Sequence, residues 1–189
     1  MRPWLFVLGT LLGAATAAAP PPAEAQRLTA SNGVKVTVSD LNPHEKEIRS
    51  PRVKMVPRAG AEGWATAAVV ASNRGQLFER RVYAHIEYPG EHRSYHLALF
   101  RGGDRATLTF SLAPGDSLTC KKIRTNAGEK CSEEMRVDLA RGDVAKYAAG
   151  DKLMLSFLGK DGSGHIIHVE IPVSHFNAVE EVGRRGFER

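Results

Sequence analysis

Seven histidines make metal binding the first chemistry to consider, because imidazole is the side chain that most often binds transition metals in proteins. The best local candidate lies in residues 82–100, where two predicted strands flank a turn signal. If these runs pair as a hairpin, Glu87 faces His96, and His85 lies on the same face two residues back. The sequence thus offers His85, Glu87 and His96 as candidate metal ligands. The alternative is that these side chains are solvated or paired across the strands.

The sequence gives less support to nucleophilic catalysis or to a phosphate-binding loop. It contains no Gly-x-Ser-x-Gly nucleophile elbow. The glycine-rich stretch 159–164 lies between two predicted strands, so it reads as a hairpin turn and not as a phosphate loop before a helix. We therefore predict a protein that is not an enzyme and has no cofactor.

A small basic cluster is formed by Lys121, Lys122 and Arg124. It is interpreted either as a solvated rim or as a point of contact with an anionic membrane or polysaccharide. The formal net charge is +5, but the other basic residues are scattered among acidic ones. This distribution does not indicate a nucleic-acid partner.

The chain has two cysteines, Cys120 and Cys131. A redox-active pair usually has two residues between its cysteines, and here ten intervene. We therefore predict a structural disulfide, which persists in an oxidising compartment outside the cytoplasm.

The first 25 residues have the layout of a secretory signal peptide. Arg2 precedes an apolar stretch, and a proline run then leads to small residues at Ala23 and Ala25. The apolar stretch is shorter than the about 20 residues that a membrane-spanning helix needs, which disfavours the alternative of a retained anchor. Cleavage after Ala25 would leave a single domain, 26–189, in the periplasm or secreted.

Short alternating runs separated by glycine and proline turns fill the mature part, and they predict an all-β fold, an antiparallel sandwich or barrel-like domain. One or two short helices are expected near the C-terminus, one after Asp143 and one from Ser174 to Val182. A flexible N-terminal segment and a frayed tail, 183–189, complete the prediction. The predicted strands are residues 34–38, 52–56, 64–72, 81–88, 95–100, 106–112, 117–123, 152–158 and 165–173.

The order of features from Cys120 onward is more distinctive than any single motif. It combines the two cysteines with the run from Ile171 to Ser174, followed by Phe176 and Ala178. This series resembles the C-terminal half of the invasion-associated locus B family, exported proteins of alphaproteobacteria. Members of that family carry a further cysteine pair after a tryptophan, which residues 64–72 lack. The resemblance implies a β-rich envelope protein associated with host-cell entry or colonisation, with no catalytic residues to transfer.

The leading functional prediction is an exported, non-enzymatic envelope protein that binds another envelope component or a host protein. Two alternatives stay open. The first is a periplasmic metal-binding or small-ligand-binding protein that uses the histidine and carboxylate cluster. The second is an immunoglobulin-like accessory or chaperone module of an envelope complex.

Overall fold

A computed structural model describes residues 25–57, 60–89, 95–102, 106–111, 119–122, 129–159 and 166–187, with the backbone alone for those between 95 and 129. All of the predicted signal peptide except Ala25 lies outside these ranges. Among the described residues, no helix has the length and apolar character needed to cross a membrane.

Twelve strands and two helices make up the described part of the chain. The strands are β1 (Gln26–Thr29), β2 (Lys35–Asn42), β3 (Glu45–Arg49), β4 (Val53–Lys54), β5 (Glu62–Ser72), β6 (Leu77–Pro89), β7 (Tyr95–Gly102), β8 (Ala106–Ser111), β9 (Thr119–Lys122), β10 (Glu129–Leu139), β11 (Lys152–Gly159) and β12 (Ile166–Pro172). The helices are α1 (Asp143–Tyr147) and α2 (Val173–Arg185).

The larger of the two sheets has eight strands, seven of them in the order β1-β2-β3-β5-β6-β10-β9, while β4 pairs with β5. Every pairing is antiparallel. Along β6, Val82, Ala84 and Ile86 are buried, whereas the alternate residues Tyr83 and His85 are partly exposed. Successive side chains of a strand point to opposite faces, so this sheet has one apolar face and one polar face.

The second sheet, with the order β12-β11-β7-β8, and helix α2 cover the apolar face. Leu155 and Phe157 of β11 and Val169 of β12 share one hydrophobic core with the large sheet. Gly183 lets α2 approach closely, since a Cβ atom there would lie 2.7 Å from the Leu77 side chain. The fold is therefore an all-β antiparallel sandwich of two open sheets with two helices near the C-terminus, which confirms the predicted class.

Several predicted strand pairs are confirmed. Residues 64–72 and 81–88 fall in the neighbouring strands β5 and β6. Residues 95–100 and 106–112 correspond to β7 and β8, and β11 pairs with β12 across the predicted C-terminal hairpin. These pairs are close in the chain, so local alternation and turn residues were sufficient to predict them.

The predicted hairpin within residues 82–100 is wrong. Strand β6 pairs with β5 and β10, whereas β7 pairs with β11 and β8 in the other sheet. β10, which the sequence analysis did not predict, occupies the position beside β6 that the hairpin assigned to β7. The chain after Pro89 therefore leads from one sheet to the other.

Both chain ends of the domain are tied to each other. Gln26–Thr29, within the segment expected to be flexible, forms the edge strand β1. The amide and hydroxyl of Ser31 donate to the carboxylate of Glu181 on α2, at 3.0 and 2.6 Å. Phe187, in the predicted tail, donates its amide to the carbonyl of Asn73 at 2.6 Å.

The helix ends differ from the predicted caps. Asp143 is the first residue of α1, and its side chain accepts a hydrogen bond from the Ala140 amide at 2.7 Å. Ser174 is the second residue of α2, and the N-cap position is occupied by Pro172, which makes no side-chain cap hydrogen bond. Proline suits a helix start, because the first backbone N–H groups of a helix have no partner within it.

Candidate functional site: the polar face of the large sheet

The polar face is the side of the large sheet that carries Glu47, Trp64, Tyr83, His85 and Arg136. The strand register places these side chains in rows. Tyr83 lies between Thr66 and Arg136, and His85 lies between Trp64 and Glu134. Side chains in register on neighbouring strands are close enough to interact, so the polar face forms a connected surface.

Glu47 is a carboxylate buried on this face, with 5% of its side chain exposed. Its two oxygens receive hydrogen bonds from the Tyr83 hydroxyl and the Arg49 guanidinium, each at 2.6 Å. Arg81 donates to the Tyr83 hydroxyl at 3.0 Å and lies 3.8 Å from Glu47. The Arg49 guanidinium also stacks 4.1 Å above the centre of the Tyr83 ring.

This arrangement changes the acidity of Tyr83. Burial raises the pKa of its hydroxyl, and the hydrogen bond to Glu47 raises the pKa further, while Arg81 acts in the opposite direction. The hydroxyl stays protonated and continues to donate to the carboxylate. Glu47 thus holds neighbouring side chains in place, with each of its two oxygens accepting a hydrogen bond.

A stack of three side chains lies on the neighbouring row. The Arg52 guanidinium carbon is 4.1 Å from the centre of the Trp64 ring. The imidazole of His85 stacks on the same indole, with 5.4 Å between ring centres and 15° between planes. His85 Nε2 also lies 3.2 Å from a carboxylate oxygen of Glu87.

Glu87 is engaged on its other side by Lys130. The hydrogen bond from Lys130 lowers the pKa of the Glu87 carboxyl most, and the bond with His85 lowers it further. The pKa of Lys130 is raised in turn by Glu87 and by Glu62, whose carboxylate is 3.2 Å away. The row from Trp64 to Lys130 is therefore held by stacking and ion pairs.

A break between β3 and β4 creates a pocket on this face. Both strands pair with β5, but Pro51 between them has no N–H for a sheet ladder. Ser50 bridges the gap, because its amide donates to the Ala67 carbonyl at 2.8 Å and its hydroxyl accepts from the Ala67 amide at 3.0 Å. Beside the break is a pocket of about 510 Å³, here named the Arg52 pocket, whose lining includes Thr37, Ser39, Glu47, Arg49, Arg52 and Thr66.

Thr66 stands out in the wall of the Arg52 pocket. The residue is 4% exposed, and its Oγ1 atom has no hydrogen-bond partner among the described residues. A buried hydroxyl without a partner costs about 1–3 kcal/mol, so such groups are uncommon in folded proteins. A ligand group seated against Thr66 would supply the missing partner.

The predicted metal ligands are not brought together as the hairpin would have placed them. His85 and Glu87 do share a face and are in contact, whereas the backbone of His96 lies on β7 in the second sheet. The polar side chains next to His85 are Glu87 and Glu134. In the part of the chain that the structure describes, no group of three or more histidine, cysteine, aspartate or glutamate side chains is arranged as a metal site.

The other predicted site residues lie at one edge of the large sheet. Cys120 and Cys131 are register partners on β9 and β10, and no free cysteine occurs among the described residues. Directly opposed residues of antiparallel strands lie about 4.5–5.5 Å apart at Cα, within the about 4.4–6.8 Å that a disulfide spans. The side chain of Cys120 lies outside the described part, so the disulfide stays a prediction.

The basic cluster falls on the same edge. Lys121 and Lys122 are the last two residues of β9, opposite Lys130 and Glu129 on β10. Arg124 lies outside the described residues. The interpretation of this cluster as an anion-binding rim stays a prediction.

Sequence reasoning missed the residues around the Arg52 pocket. A signal was available in β5 and β6, since Trp64 and Thr66, like Tyr83 and His85, lie two residues apart and so share a face. Of these four residues, only His85 was considered as a candidate site residue. Arg52 and Glu47 gave no signal, because their roles depend on which strands pair.

The fold and the site together define a class: an antiparallel β-sandwich that presents an ordered, charged pocket on the outer face of its larger sheet. Comparisons with protein-family models, with curated proteins and with solved structures found no match for this chain. The resemblance to the invasion-associated locus B family therefore stays a prediction.

Proposed function

We propose that the mature protein is an exported, non-enzymatic binding protein of the cell envelope and that the polar face is its contact surface. The observation that carries the proposal is the stack of Arg52 and His85 on Trp64 beside the Arg52 pocket. Side chains already held by stacking and ion pairs lose little conformational entropy when a partner binds, which favours binding.

The carboxylate of Glu47 supports binding in preference to catalysis. A general base needs an oxygen free to accept a proton from a substrate. Both Glu47 oxygens already accept short hydrogen bonds from Tyr83 and Arg49. The charged groups of this face therefore serve to position one another and to present a fixed pattern to a partner.

Export is supported by the signal-peptide layout of residues 1–25 and by the opposed cysteine positions on β9 and β10. The resemblance of the C-terminal part to the invasion-associated locus B family adds host-cell association or colonisation as the biological setting. In this setting the partner is another envelope component or a host molecule.

Site-specific crosslinking in the native cell tests the contact surface. A photoreactive amino acid at Arg136, on the polar face, is compared with the same amino acid at Lys152, on β11 of the second sheet. The two side chains are matched, since 53% and 51% of their areas are exposed and each is in an ion pair. We expect a crosslinked product of higher mass from the Arg136 position alone, in the periplasmic or secreted fraction.

Two results would contradict the proposal. Equal crosslinking from both positions would show that the polar face is not the contact surface. Recovery of the protein in the cytoplasm with both cysteines reduced would remove the envelope setting.

The small-ligand alternative is favoured by one specific observation, the Arg52 pocket. Its volume of about 510 Å³ falls within the about 300–1,000 Å³ of small-molecule sites. A small-ligand site and a larger contact surface are compatible on the same face, because a polymer or a modified protein can present the ligand group.

A further inference from the structure

We infer that the Arg52 pocket binds a small hydroxylated carboxylate of the acidic-sugar class, with Arg52 holding the carboxylate and the wall hydroxyls holding the ligand's hydroxyl groups. The inference rests on the proposed function and specifies the ligand of the same face.

The charge of the pocket matches a ligand with one negative charge. Glu47 and Arg49 neutralise each other in the pocket wall. Arg52 makes no ion pair with any carboxylate among the described residues, and its guanidinium packs on Trp64. The lining therefore has a net charge of +1, which suits a carboxylate better than a doubly charged phosphate.

The stack prepares Arg52 for a carboxylate. The guanidinium carbon of Arg52 lies 4.1 Å from the centre of the Trp64 ring, and the N–H donors of a guanidinium lie in its own plane. In that plane it can donate two parallel hydrogen bonds to the two oxygens of a carboxylate. Arg52 is otherwise exposed, so the fork is accessible from the pocket.

Hydroxyl groups in the wall match the rest of such a ligand. Thr37 and Ser39 are adjacent outward-facing residues of β2, and both are partly exposed. Thr66 adds the buried Oγ1 that has no partner in the described structure. A hydroxyl can both donate and accept, so these three groups pair well with sugar hydroxyls. An apolar ligand would leave them without partners, which is costly.

Fluorescence of Trp64 can test the inference directly. The chain contains two tryptophans, and Trp4→Phe makes Trp64 the only indole whether or not the first 25 residues are removed. In that background, we expect glucuronate to change the Trp64 emission in a saturable way. Glucose, which lacks the carboxylate, and acetate, which lacks the hydroxyls, should each bind about tenfold more weakly or worse.

Three variants assign the contacts. Arg52→Gln removes a charge-assisted hydrogen bond and should weaken glucuronate binding about tenfold or more. Thr66→Val and Ser39→Ala each remove a neutral hydroxyl and should weaken it about threefold. Ser39 is partly exposed, so its replacement keeps the hydroxyl test valid if Thr66→Val fails to fold. Lys152→Gln, on β11 of the second sheet and away from the polar face, should leave binding unchanged.

Each contrary result overturns the inference in a defined way. Equal binding of acetate would show a simple anion site, equal binding of glucose would show that Arg52 does not recognise the carboxylate, and tighter binding of inorganic phosphate would show a phosphate site. No saturable change with glucuronate would reject the ligand class. If the face-specific crosslinking at Arg136 persists in that case, the proposed function stands without this ligand.

Discussion

Glu47 shows how a single residue organises the polar face. A buried carboxylate is costly unless its charge is paired and its oxygens accept hydrogen bonds. Arg49 pairs with the charge of Glu47, and both Arg49 and Tyr83 donate hydrogen bonds to its oxygens. Arg81, two residues before Tyr83 on β6, donates a hydrogen bond to the Tyr83 hydroxyl. Glu47 lies on β3 while Tyr83 and Arg81 lie on β6, with β5 between them. The cluster therefore links β3 and β6 across β5.

A double-mutant cycle on Glu47 and Tyr83 tests this arrangement. Tyr83→Phe leaves one carboxylate oxygen without its donor, and we expect a loss of about 1–3 kcal/mol in the free energy of unfolding. Glu47→Gln should also destabilise the protein, because the amide of Gln cannot serve both Arg49 and Tyr83 as a carboxylate does. Chemical denaturation should show that the double variant loses less than the sum of the two single losses.

Additive losses would contradict this view of the cluster. They would mean that Glu47 and Tyr83 stabilise the sheet independently, despite the 2.6 Å between the Tyr83 hydroxyl and Glu47 Oε1.

Among the elements, helix α2 is attached to the large sheet by packing and by charge. Phe176, Val179 and Val182 are buried against the sheet. On the helix surface, the carboxylate of Glu180 forms two ion pairs. One is with the Arg80 guanidinium of β6 at 2.5 Å, and the other is with Arg184, one helical turn further on, at 2.8 Å. The helix is therefore oriented by an ion pair that reaches across to a strand.

The pH dependence of stability tests this ion pair. Burial alone would raise the pKa of the Glu180 carboxyl, but hydrogen bonds from Arg80 and Arg184 outweigh it and lower the pKa below its ordinary value of 4.5. A carboxyl whose pKa is lowered on folding adds stability above its unfolded pKa and loses it as the pH falls through the folded pKa. We therefore expect the stability difference between the native protein and Glu180→Gln to be constant near neutral pH and to shrink below about pH 4.5.

The matched control is Glu170→Gln on β12. It removes an exposed carboxylate that is paired with Lys152 at 2.8 Å, and exposed pairs contribute little to stability. Denaturation curves between neutral and acid pH should show a smaller change for this control. An equal change would indicate that acid acts on the whole molecule and not through the Arg80 contact.

The elements also show what the sequence could predict. β5 is a run rich in Ala and Val, β6 alternates, and a turn signal lies between them, so the two were predicted as neighbours. β3 has one charged residue after another, with Ile48 as its single aliphatic side chain, so it was missed. In β10 the alternation is interrupted by Glu133, a carboxylate buried beside the Tyr88 hydroxyl at 2.6 Å. From the sequence alone a glutamate is expected to be exposed, so Glu133 concealed the alternation of this strand.

The candidate site was harder to predict than the strands. The Arg52 pocket exists because β3 and β4 both pair with β5 and leave a gap at Pro51. Neither β3 nor β4 has an alternating apolar pattern, so the sequence did not indicate that both pair with β5. The predicted hairpin of β6 and β7 failed for another reason, because β10, which is distant in the chain, takes the place beside β6.

At the scale of the whole molecule, the two sheets and α2 share one core, while the polar face of the large sheet remains outside it. Among the described strands, β9 lies at the edge of that face with one neighbour, β10. An edge strand held on one side opens more readily than a central strand. The predicted disulfide between Cys120 and Cys131 would fasten β9 to the sheet at this point.

A thiol assay tests this bond. In the purified, unreduced protein under denaturing conditions, a thiol reagent should detect no free thiol, and after reduction it should detect two per chain, the number of cysteines. Closing a loop of this length stabilises a protein by about 3 kcal/mol in the chain-entropy model. A reductant should therefore lower the denaturation midpoint of the native protein but leave that of a Cys120→Ser and Cys131→Ser double variant unchanged. Two reactive thiols before reduction would show that the opposed cysteines of β9 and β10 are not bonded, and would remove one of the two supports for export.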